Sequence, residues 1–234
     1  MFKYRIHNIS RNKDTAEKPF WISYSDMMTA LMVLFLITMT VALVAYEKKI
    51  TSESKQREIE IDELMARIQN VTTEFPGVTV RGRTIDFGDR ARYETDSHKL
   101  TIIQAQLLRA FVPKILEIAR DPLGEKWIKR VIVEGYADKR GTYLHNLHLS
   151  MQRSERVFCV LLAKPEKDEK PLNEEDRKLI NDIFLVGGYS YNSLKESLEE
   201  SRRIEFKLEF LDIGEKRPAA PNIRDSEHQH CPLD

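Results

Sequence analysis

The sequence predicts an α+β membrane protein, in which a single N-terminal transmembrane helix and a helical connector precede an exported α/β sandwich. Three observations support this prediction: one long apolar segment near the N-terminus, a polar helical segment after it, and a C-terminal region where strands and helices alternate. The predicted parts are an N-terminal tail over 1–20, a transmembrane helix over 21–45, a connector over 46–74, a domain over 75–213 and a C-terminal tail over 214–234.

The segment from Trp21 to Ala45 is long and apolar enough to cross a bilayer. At about 1.5 Å per residue, its helix exceeds the ~30 Å thickness of the hydrocarbon core. The apolar stretch is too long and begins too late for a cleaved signal peptide, so we expect it to remain as an anchor. Basic residues outnumber acidic ones before the span, which favours a cytoplasmic N-terminus and an exported C-terminal domain.

Asp26 is an acidic side chain inside this apolar segment. A charge there costs ~2.5–3.5 kcal/mol on insertion scales, and such residues usually face a protein interior or a water-filled path. The hydroxyl groups of Tyr24, Ser25 and Thr29 lie within about one helical turn and could relay or coordinate an ion. The alternative is an acid that snorkels to the headgroups or caps the helix. Asp26 is therefore the first functional candidate in the sequence.

The connector has a narrow apolar stripe at helical spacing. Its members are Ile61, Leu64, Met65, Ile68 and Val71. A stripe of this width suits pairing with a second copy of the chain, and a solvated spacer helix is the alternative. The segment Phe75-Pro76-Gly77 is expected to end the helix and open the domain.

The region 75–213 alternates strands and helices, which predicts one sheet covered by a helical layer. The predicted strands are Val78–Phe87, Val131–Gly135, Phe184–Tyr189 and Arg203–Leu211. The predicted helices are Asp96–Ala119, kinked or split at Pro113, then Asn146–Leu162 and Glu174–Asp182. A charged loop begins at Lys164, and the tail from Gly214 is Pro-rich and polar.

Composition and motifs argue against two function classes. The 37 basic and 37 acidic residues give no net formal charge, so nothing in the overall charge points to nucleic acid. No nucleophilic Ser/His/Asp arrangement or glycine-rich phosphate loop is visible, and His145 and His148 lack metal-ligand partners at suitable spacing. We therefore expect no enzyme, no cofactor and no metal site, with both histidines on a loop surface.

Cys159 and Cys231 are the two cysteines, and both are expected on the exported side, where disulfides persist. We expect an intrachain bridge that ties the C-terminal tail to the domain. Two free thiols and bridges between chains are the alternatives.

The segment from Gly135 to Leu161 resembles the core motif of the OmpA-like peptidoglycan-binding domain, which reads G-H-T-D, then Gly, then N-x-x-L-S-x-x-R-A and Val. The matching residues are Gly135, Asp138, Gly141, Asn146, Leu149, Ser150, Arg153 and Val157. The segment Ser201–Glu205 is similar to the closing N-R-R-V-E of that domain and contains Arg203. The departures are Tyr136, Ala137, Ser154 and Ser201 in place of His, Thr, Ala and Asn.

This resemblance implies a peptidoglycan-binding site. Its expected residues are Asp138, Arg153, Asn146, Tyr136, Leu149 and Arg203. Asp138 would take the ammonium of a diaminopimelate side chain, and Arg153 would hold the carboxylate with its planar fork. The alternative is an ordinary surface ion pair, which is worth only ~0–1 kcal/mol.

The segment PFWISYSDMMTALMVLFL resembles the transmembrane segment of the MotB family of flagellar stator subunits, where a Trp, a Tyr, an Asp, a Thr and a Phe recur. The matching residues are Trp21, Tyr24, Asp26, Thr29 and Phe35. An intramembrane Asp followed by an OmpA-like domain is the plan of that whole family. The short basic N-terminus and the brief connector are most similar to its ZorB branch, from the Zorya antiphage defence system.

The resemblance implies an ion-driven rotary motor in the bacterial inner membrane. Two copies of the chain would stand inside a ring of five MotA-like or ZorA-like subunits, with the domains fixed to peptidoglycan. Each Asp26 would face the ring and carry the transported ion. The scarcity of polar residues deeper in the span favours protons over sodium. The alternatives are a passive tether to the cell wall without ion conduction, a flagellar MotB, and an energy transducer like ExbD or TolR.

Overall fold

The computed structural model describes residues 18–162, 172–218 and 231–233, with side chains from Trp21 onward. The chain divides into two compact units, Met1–Lys55 and Gln56–Asp234. Most of the predicted N-terminal tail, part of the charged loop that begins at Lys164 and most of the C-terminal tail lie outside the described residues.

The first element is a single α-helix, α1, from Lys18 to Thr72. Its apolar window has a mean hydropathy of 2.5, and none of that window is buried inside the chain. An apolar surface of this length needs lipid or protein around it, because water does not solvate it favourably. The predicted transmembrane helix is therefore confirmed.

The apolar stripe at the end of α1 belongs to the core of the second unit. Ile61, Leu64 and Ile68 are buried, with at most 1% of their surface exposed. They pack in the same core as the sheet and its helices. The expectation of self-pairing or of a solvated spacer is therefore wrong for this stripe. The domain unit begins at Gln56, inside the predicted connector over 46–74.

The rest of the domain consists of one sheet and a set of helices. In chain order these are β1 (Thr79–Arg81), β2 (Thr84–Asp86), a 3-10 helix (Gly88–Ala91), α2 (Ile102–Arg120), α3 (Pro122–Trp127), β3 (Ile128–Gly135), α4 (Tyr143–Leu162), α5 (Glu174–Ile183), β4 (Phe184–Gly188), α6 (Leu198–Ser201) and β5 (Ile204–Phe210). The sheet has the strand order β1-β2-β5-β3-β4. Strands β3 and β4 are parallel, whereas the other neighbours are antiparallel. The predicted α+β class is confirmed.

The core is built from the alternating residues of β5 and the apolar faces of the helices. Ile204, Phe206 and Leu208 point into it and are almost fully buried. The ring of Phe206 meets Phe87 and Phe184 edge-on, with centroid distances of 4.8 and 5.9 Å. Helices α2 and α4 contribute buried residues to the same cluster, so sheet and helices share one core.

Some elements differ from their prediction for local reasons. The single strand expected over Val78–Phe87 is a hairpin, because the chain turns at Gly82 with a φ of 60°. The helix expected from Asp96 begins only at Ile102, where Thr101 forms a capping box with Gln104. Pro113 lies inside α2 without splitting it, since the helix is held by buried neighbours. The short helices α3 and α6 were not predicted.

A disulfide joins Cys159, on α4, to Cys231, with an S–S distance of 2.02 Å. Both cysteines are buried. Nearby, Nη2 of Arg156 donates to the carbonyl oxygen of Leu233 at 3.2 Å. The bond lies within one chain and holds residues 231–233 against the domain.

Candidate functional site

The candidate site starts where β3 and β4 end beneath α4. A Cβ on Gly135 would lie 2.0 Å from the carbonyl oxygen of Ser150, and one on Gly188 would lie 2.7 Å from the backbone nitrogen of Met151. Any side chain at these two positions would collide with the helix backbone, so glycine is required. This close approach brings the turn after β3 next to the side chains of α4.

Asp138 is buried in that turn and is engaged by two arginines. Its Oδ1 accepts a hydrogen bond from the backbone nitrogen of Arg140 at 2.9 Å, and its Oδ2 accepts from Arg140 Nη2 at 2.6 Å and from Arg202 Nη1 at 3.2 Å. Burial alone would raise the pKa of Asp138, but the hydrogen bonds from Arg140 and Arg202 outweigh it and lower this pKa to about 2. The carboxylate is therefore ionised and already compensated by two guanidinium groups.

Arg153, on α4, is fully buried. Its Nε, Nη1 and Nη2 donate to the carbonyl oxygens of Ser97, Tyr136 and Glu94 at 2.9, 2.7 and 3.1 Å. Its guanidinium carbon lies 5.0 Å from the ring centroid of Tyr93. Burial lowers the pKa of Arg153 to about 10, so the side chain remains a cation at neutral pH. The guanidinium is therefore already engaged, because it joins the segment 94–97 to the turn after β3. Binding of a ligand carboxylate by Arg153 stays a prediction.

A cavity of about 240 Å³ opens beside Asp138. It is lined by Thr95, Asp96, Asp138, Arg140, Gly141, His145, Asn146, Leu149, Arg153 and Arg202. Four of the residues expected to bind peptidoglycan therefore meet here: Asp138, Asn146, Leu149 and Arg153. The amide Nδ2 of Asn146 donates to the carbonyl oxygen of Arg140 at 2.7 Å, which fixes the loop that carries Arg140.

Tyr136 and Arg203 do not line this cavity. The hydroxyl of Tyr136 donates to Glu134 Oε2 at 2.7 Å, and the guanidinium carbon of Arg203 lies 4.2 Å from the Tyr136 ring centroid. Arg203 also donates to Glu205 Oε1 at 2.6 Å and lines a second cavity, of about 590 Å³. The expectation that both side chains join Asp138 is wrong. Only the backbone of Tyr136 contributes to the site, because its carbonyl oxygen accepts a hydrogen bond from Arg153 Nη1.

Polar side chains that were not predicted complete the lining of the smaller cavity. They are Thr95, Asp96, Arg140, His145 and Arg202. Arg140 lies inside the matched segment Gly135–Leu161, and Arg202 lies inside the matched segment Ser201–Glu205. Their place in these motifs could therefore have identified them as site residues. No sequence pattern marks Thr95 and Asp96, which the fold brings in from the segment before α2. The prediction of His145 and His148 on a loop surface is wrong, because both lie on α4. Nε2 of His145 lies 2.7 Å from Asp96 Oδ1.

In the first unit, Asp26 lies in a shallow groove along one face of α1. The groove is lined by Asp26, Thr29, Ala30, Val33, Leu34 and Ile37. The Thr29 hydroxyl donates to the carbonyl oxygen of Ser25 at 2.7 Å. At 3.6 residues per turn, Tyr24 lies about 160° around the helix from Asp26. Of the three hydroxyl residues expected to support an ion, Thr29 is therefore the one that shares the groove.

The amino-acid sequence is similar to known proteins over most of its length. Residues 5–52 match a family described as membrane MotB of the proton-channel complex MotA/MotB. The chain is 39% identical over 220 residues to the Zorya protein ZorB of Escherichia coli O139:H28 (strain E24377A / ETEC), an alignment that covers 91% of this chain and 89% of that protein.

Two solved structures are similar to part of the chain. The OmpA-like domain of FopA1 from Francisella tularensis subsp. tularensis SCHU S4 is 17% identical with a TM-score of 0.35, and covers 58% of this chain and 82% of that one. The periplasmic domain of Helicobacter pylori MotB is 13% identical with a TM-score of 0.38, and covers 56% of this chain and 80% of that one.

Proposed function

Because this chain belongs to the ZorB family, a group of MotB-like stator subunits, we propose that it forms the ion-conducting, wall-anchored part of a motor in the bacterial inner membrane. The observation that carries this proposal is a carboxylate, Asp26, in the apolar part of the transmembrane helix of a chain whose other unit has a cavity lined by charged side chains. The motor serves Zorya antiphage defence. The chain contributes no catalysis of its own.

The proposed topology has a cytoplasmic N-terminus and a periplasmic domain. Basic residues outnumber acidic ones in the tail before Trp21, which favours retention of that tail in the cytoplasm. The Cys159–Cys231 bond supports the same orientation, since disulfides persist in the periplasm and are rare in the cytosol.

Asp26 would carry the ion by alternating between a charged and a neutral state. A carboxylate is expensive in a low-dielectric medium, so binding a proton removes much of that cost. Charged Asp26 would attract polar groups of a surrounding ring, and neutral Asp26 would release them. Each unit charge that crosses the membrane field supplies ~2.3 kcal/mol per 100 mV, which is comparable to the energy of such contacts. Proton flow could therefore drive stepwise rotation.

The proposed partners are a second copy of this chain and a ring of five MotA-like or ZorA-like subunits. The groove around Asp26 supports a protein partner, because its lining is exposed in the single chain. An acid facing lipid would carry an uncompensated cost of ~2.5–3.5 kcal/mol, which a ring of polar groups would offset.

The domain would bind peptidoglycan and so keep the dimer fixed while the ring moves. Its smaller cavity contains carboxylates and guanidinium groups together, which suits a ligand that carries both an ammonium and a carboxylate. The diaminopimelate residue of a wall peptide has this chemistry. Arg153 contributes by holding the cavity walls together, as its three bonds to backbone carbonyls indicate.

The sharpest test of ion conduction is Asp26→Asn in the complex reconstituted with its ring partner. Asn keeps the size of the side chain and cannot become a carboxylate, so we expect normal assembly with proton flux reduced to background. Flux is measured as the pH change inside proteoliposomes under an imposed membrane potential. Phage protection in cells should be lost in parallel.

Asp62→Asn is the matched control, because Asp62 is an exposed acid on the same helix. It should conduct and protect like the unchanged complex. Full activity of Asp26→Asn would defeat the motor proposal and favour a passive tether to the wall.

A further inference from the structure

Two tyrosines form an aromatic surface where the loop after β4 meets the first residue of α4. The rings of Tyr143 and Tyr191 are perpendicular, with their centroids 5.4 Å apart. The amide Nδ2 of Asn192 donates to the hydroxyl of Tyr143 at 3.1 Å. Tyr143 is 41% exposed, Tyr191 is half-buried and Asn192 is exposed. We call these three residues the aromatic platform; all three lie outside the described linings of the smaller and the larger cavity.

The backbone of Ser190 sets the position of the aromatic platform. Ser190 is fully buried and has a φ of 54°, which is uncommon for a residue other than glycine. Its nitrogen donates to Ser150 Oγ at 2.9 Å, and its Oγ donates to the carbonyl oxygen of Tyr143 at 3.1 Å. Its carbonyl oxygen accepts from the backbone nitrogen of Ala137 at 2.8 Å. Such conformations persist only where the surroundings fix them, and they cluster at ligand sites.

The aromatic platform adjoins the smaller cavity. Tyr143 precedes Asn146 by three residues on α4, and Asn146 lines that cavity. Side chains three residues apart on a helix are neighbours, with about 5–6 Å between their Cβ atoms. On the other side, Ala137, to which Ser190 is bonded, directly precedes Asp138. A ligand held in the smaller cavity can therefore extend onto the platform.

The platform and the cavity differ in their chemistry. The smaller cavity is lined by carboxylates and guanidinium groups, whereas the platform presents aromatic rings, a phenol hydroxyl and an amide, all of them neutral. The apolar face of a sugar ring packs against an aromatic side chain, and its hydroxyl and N-acetyl groups bond to neutral donors and acceptors. The platform therefore suits a neutral saccharide rather than a charged peptide.

The bacterial wall polymer joins these two chemistries in one molecule. Its charged stem peptide is attached through an amide bond to N-acetylmuramic acid, which belongs to a glycan strand. That bond consumes the carboxyl group of the sugar, so the sugar is neutral. A charged cavity beside a neutral aromatic surface has the same order of features as a stem peptide beside its sugar.

We propose that the aromatic platform is a saccharide subsite, which binds the N-acetylmuramyl ring while the smaller cavity takes the stem peptide. Tyr143, the more exposed ring, supplies the stacking surface, and Tyr191 and Asn192 hold it in place. This assignment rests on the proposed wall binding and adds a neutral sugar to its ligand. It makes the domain an anchor for the glycan strand as well as for the peptide.

The test compares two ligands that differ only in the sugar. The full chain in detergent is titrated calorimetrically with the peptide L-Ala-D-Glu-meso-diaminopimelate and with the same peptide carrying N-acetylmuramic acid on its N-terminus. We expect the muramyl peptide to bind about fivefold or more tightly than the free peptide, as one aromatic contact would supply. Tyr143→Ala should abolish this preference and change the affinity for the free peptide by less than about twofold, because Tyr143 lies outside the cavity lining.

Two variants serve as controls. Tyr143→Phe keeps the ring, so it should keep the preference for the muramyl peptide. Leu194→Ala truncates an exposed apolar side chain that follows Tyr191 on the same loop and lines the larger cavity. It should leave the affinity for both ligands unchanged.

Three results would overturn the saccharide subsite. Equal binding of both ligands by the unsubstituted chain would show that the sugar makes no contact, while wall binding through the peptide would stand. Equal weakening of both ligands by Tyr143→Ala would indicate a disturbed cavity rather than a lost sugar contact. If the unsubstituted chain binds neither ligand, wall binding itself fails, and the subsite with it.

Discussion

Arg153 connects two backbone segments that are distant from each other in sequence, residues 94–97 and the turn after β3. Its donors are taken by carbonyl oxygens of Glu94, Ser97 and Tyr136, and its planar group packs against the ring of Tyr93. A buried cation is tolerable only when its donors are satisfied, as they are here. The shape of the smaller cavity, which Arg153 also lines, therefore depends on this side chain.

Replacing Arg153 should destabilise the domain strongly. Arg153→Met keeps the unbranched apolar stem of the side chain and removes the guanidinium. The buried carbonyl oxygen of Tyr136 then loses its donor, and the bonds to the carbonyl oxygens of Glu94 and Ser97 are lost as well. An unsatisfied buried group costs ~1–3 kcal/mol and a hydrogen bond to a charged group is worth ~1.5–3 kcal/mol, so we expect a loss of at least ~3 kcal/mol in the free energy of unfolding. Chemical unfolding followed by circular dichroism measures this loss.

The control for that measurement is Arg81→Met, at an exposed arginine on β1. Its free energy of unfolding should stay within ~0.5 kcal/mol of the unsubstituted chain. Equal stability of Arg153→Met and Arg81→Met would contradict the structural role given to Arg153.

Among the elements, the end of α1 is bound to the domain by both packing and charge. Its apolar stripe is buried in the core, and on the same stretch Glu60 Oε2 accepts hydrogen bonds from Lys126 Nζ, at 2.6 Å, and from Trp127 Nε1. Both donors belong to α3. The helix that begins in the membrane thus ends as a structural part of the folded domain.

The contact between α1 and α3 should make stability depend on pH in a defined direction. Hydrogen bonds from Lys126, Gln56 and Trp127 lower the pKa of Glu60 from its ordinary 4.5 to about 2. Folding therefore favours the ionised form of Glu60. The stability that this carboxylate contributes is fully present above its unfolded-state pKa and is lost as the pH falls through its folded-state pKa. Glu60→Gln should reduce the free energy of unfolding at about pH 7, and this difference should shrink between about pH 4.5 and pH 2.

The measurement is chemical unfolding of the unsubstituted chain and of Glu60→Gln from about pH 7 to about pH 2, followed by tryptophan fluorescence. Glu63→Gln serves as the control, because Glu63 pairs with Arg67 on the exposed surface of α1. It should change stability by less than ~1 kcal/mol. A difference for Glu60→Gln that is independent of pH would contradict the account.

The elements predicted correctly are those whose signal is local. The apolar run of α1 and the alternation of Ile204–Phe210 each indicate one structure within a few residues. The hairpin at Gly82 was missed because its apolar residues also fit one continuous strand. The stripe containing Ile61 and Leu64 was recognised, but its partner was not, since periodicity identifies an apolar face without showing what covers it.

The same limit applies to the candidate site. Asp138, Asn146, Leu149 and Arg153 could be found because they share one motif. Asp96 could not, since it enters the cavity only through the tertiary fold, held by bonds from Arg153 to its neighbours. The burial of Arg153 could not be predicted either, because a sequence motif does not show whether an arginine side chain is exposed or buried.

At the scale of the whole molecule, the chain combines two kinds of chemistry in separate units. One unit has a carboxylate on an apolar helix, and the other has a cavity with charges of both signs. A wall anchor alone would not need the carboxylate on the apolar helix, and an ion channel alone would not need the charged cavity. The proposed stator needs both, because torque requires a fixed part as well as a moving one.

The most direct test of this proposal is cryo-electron microscopy of the chain co-purified with its ring partner from a membrane. The account predicts two copies of this chain at the centre of a ring of subunits, with Asp26 of each copy facing the polar side chains of that ring. A map in which Asp26 faces lipid, or in which the chain stands outside any ring, would contradict it.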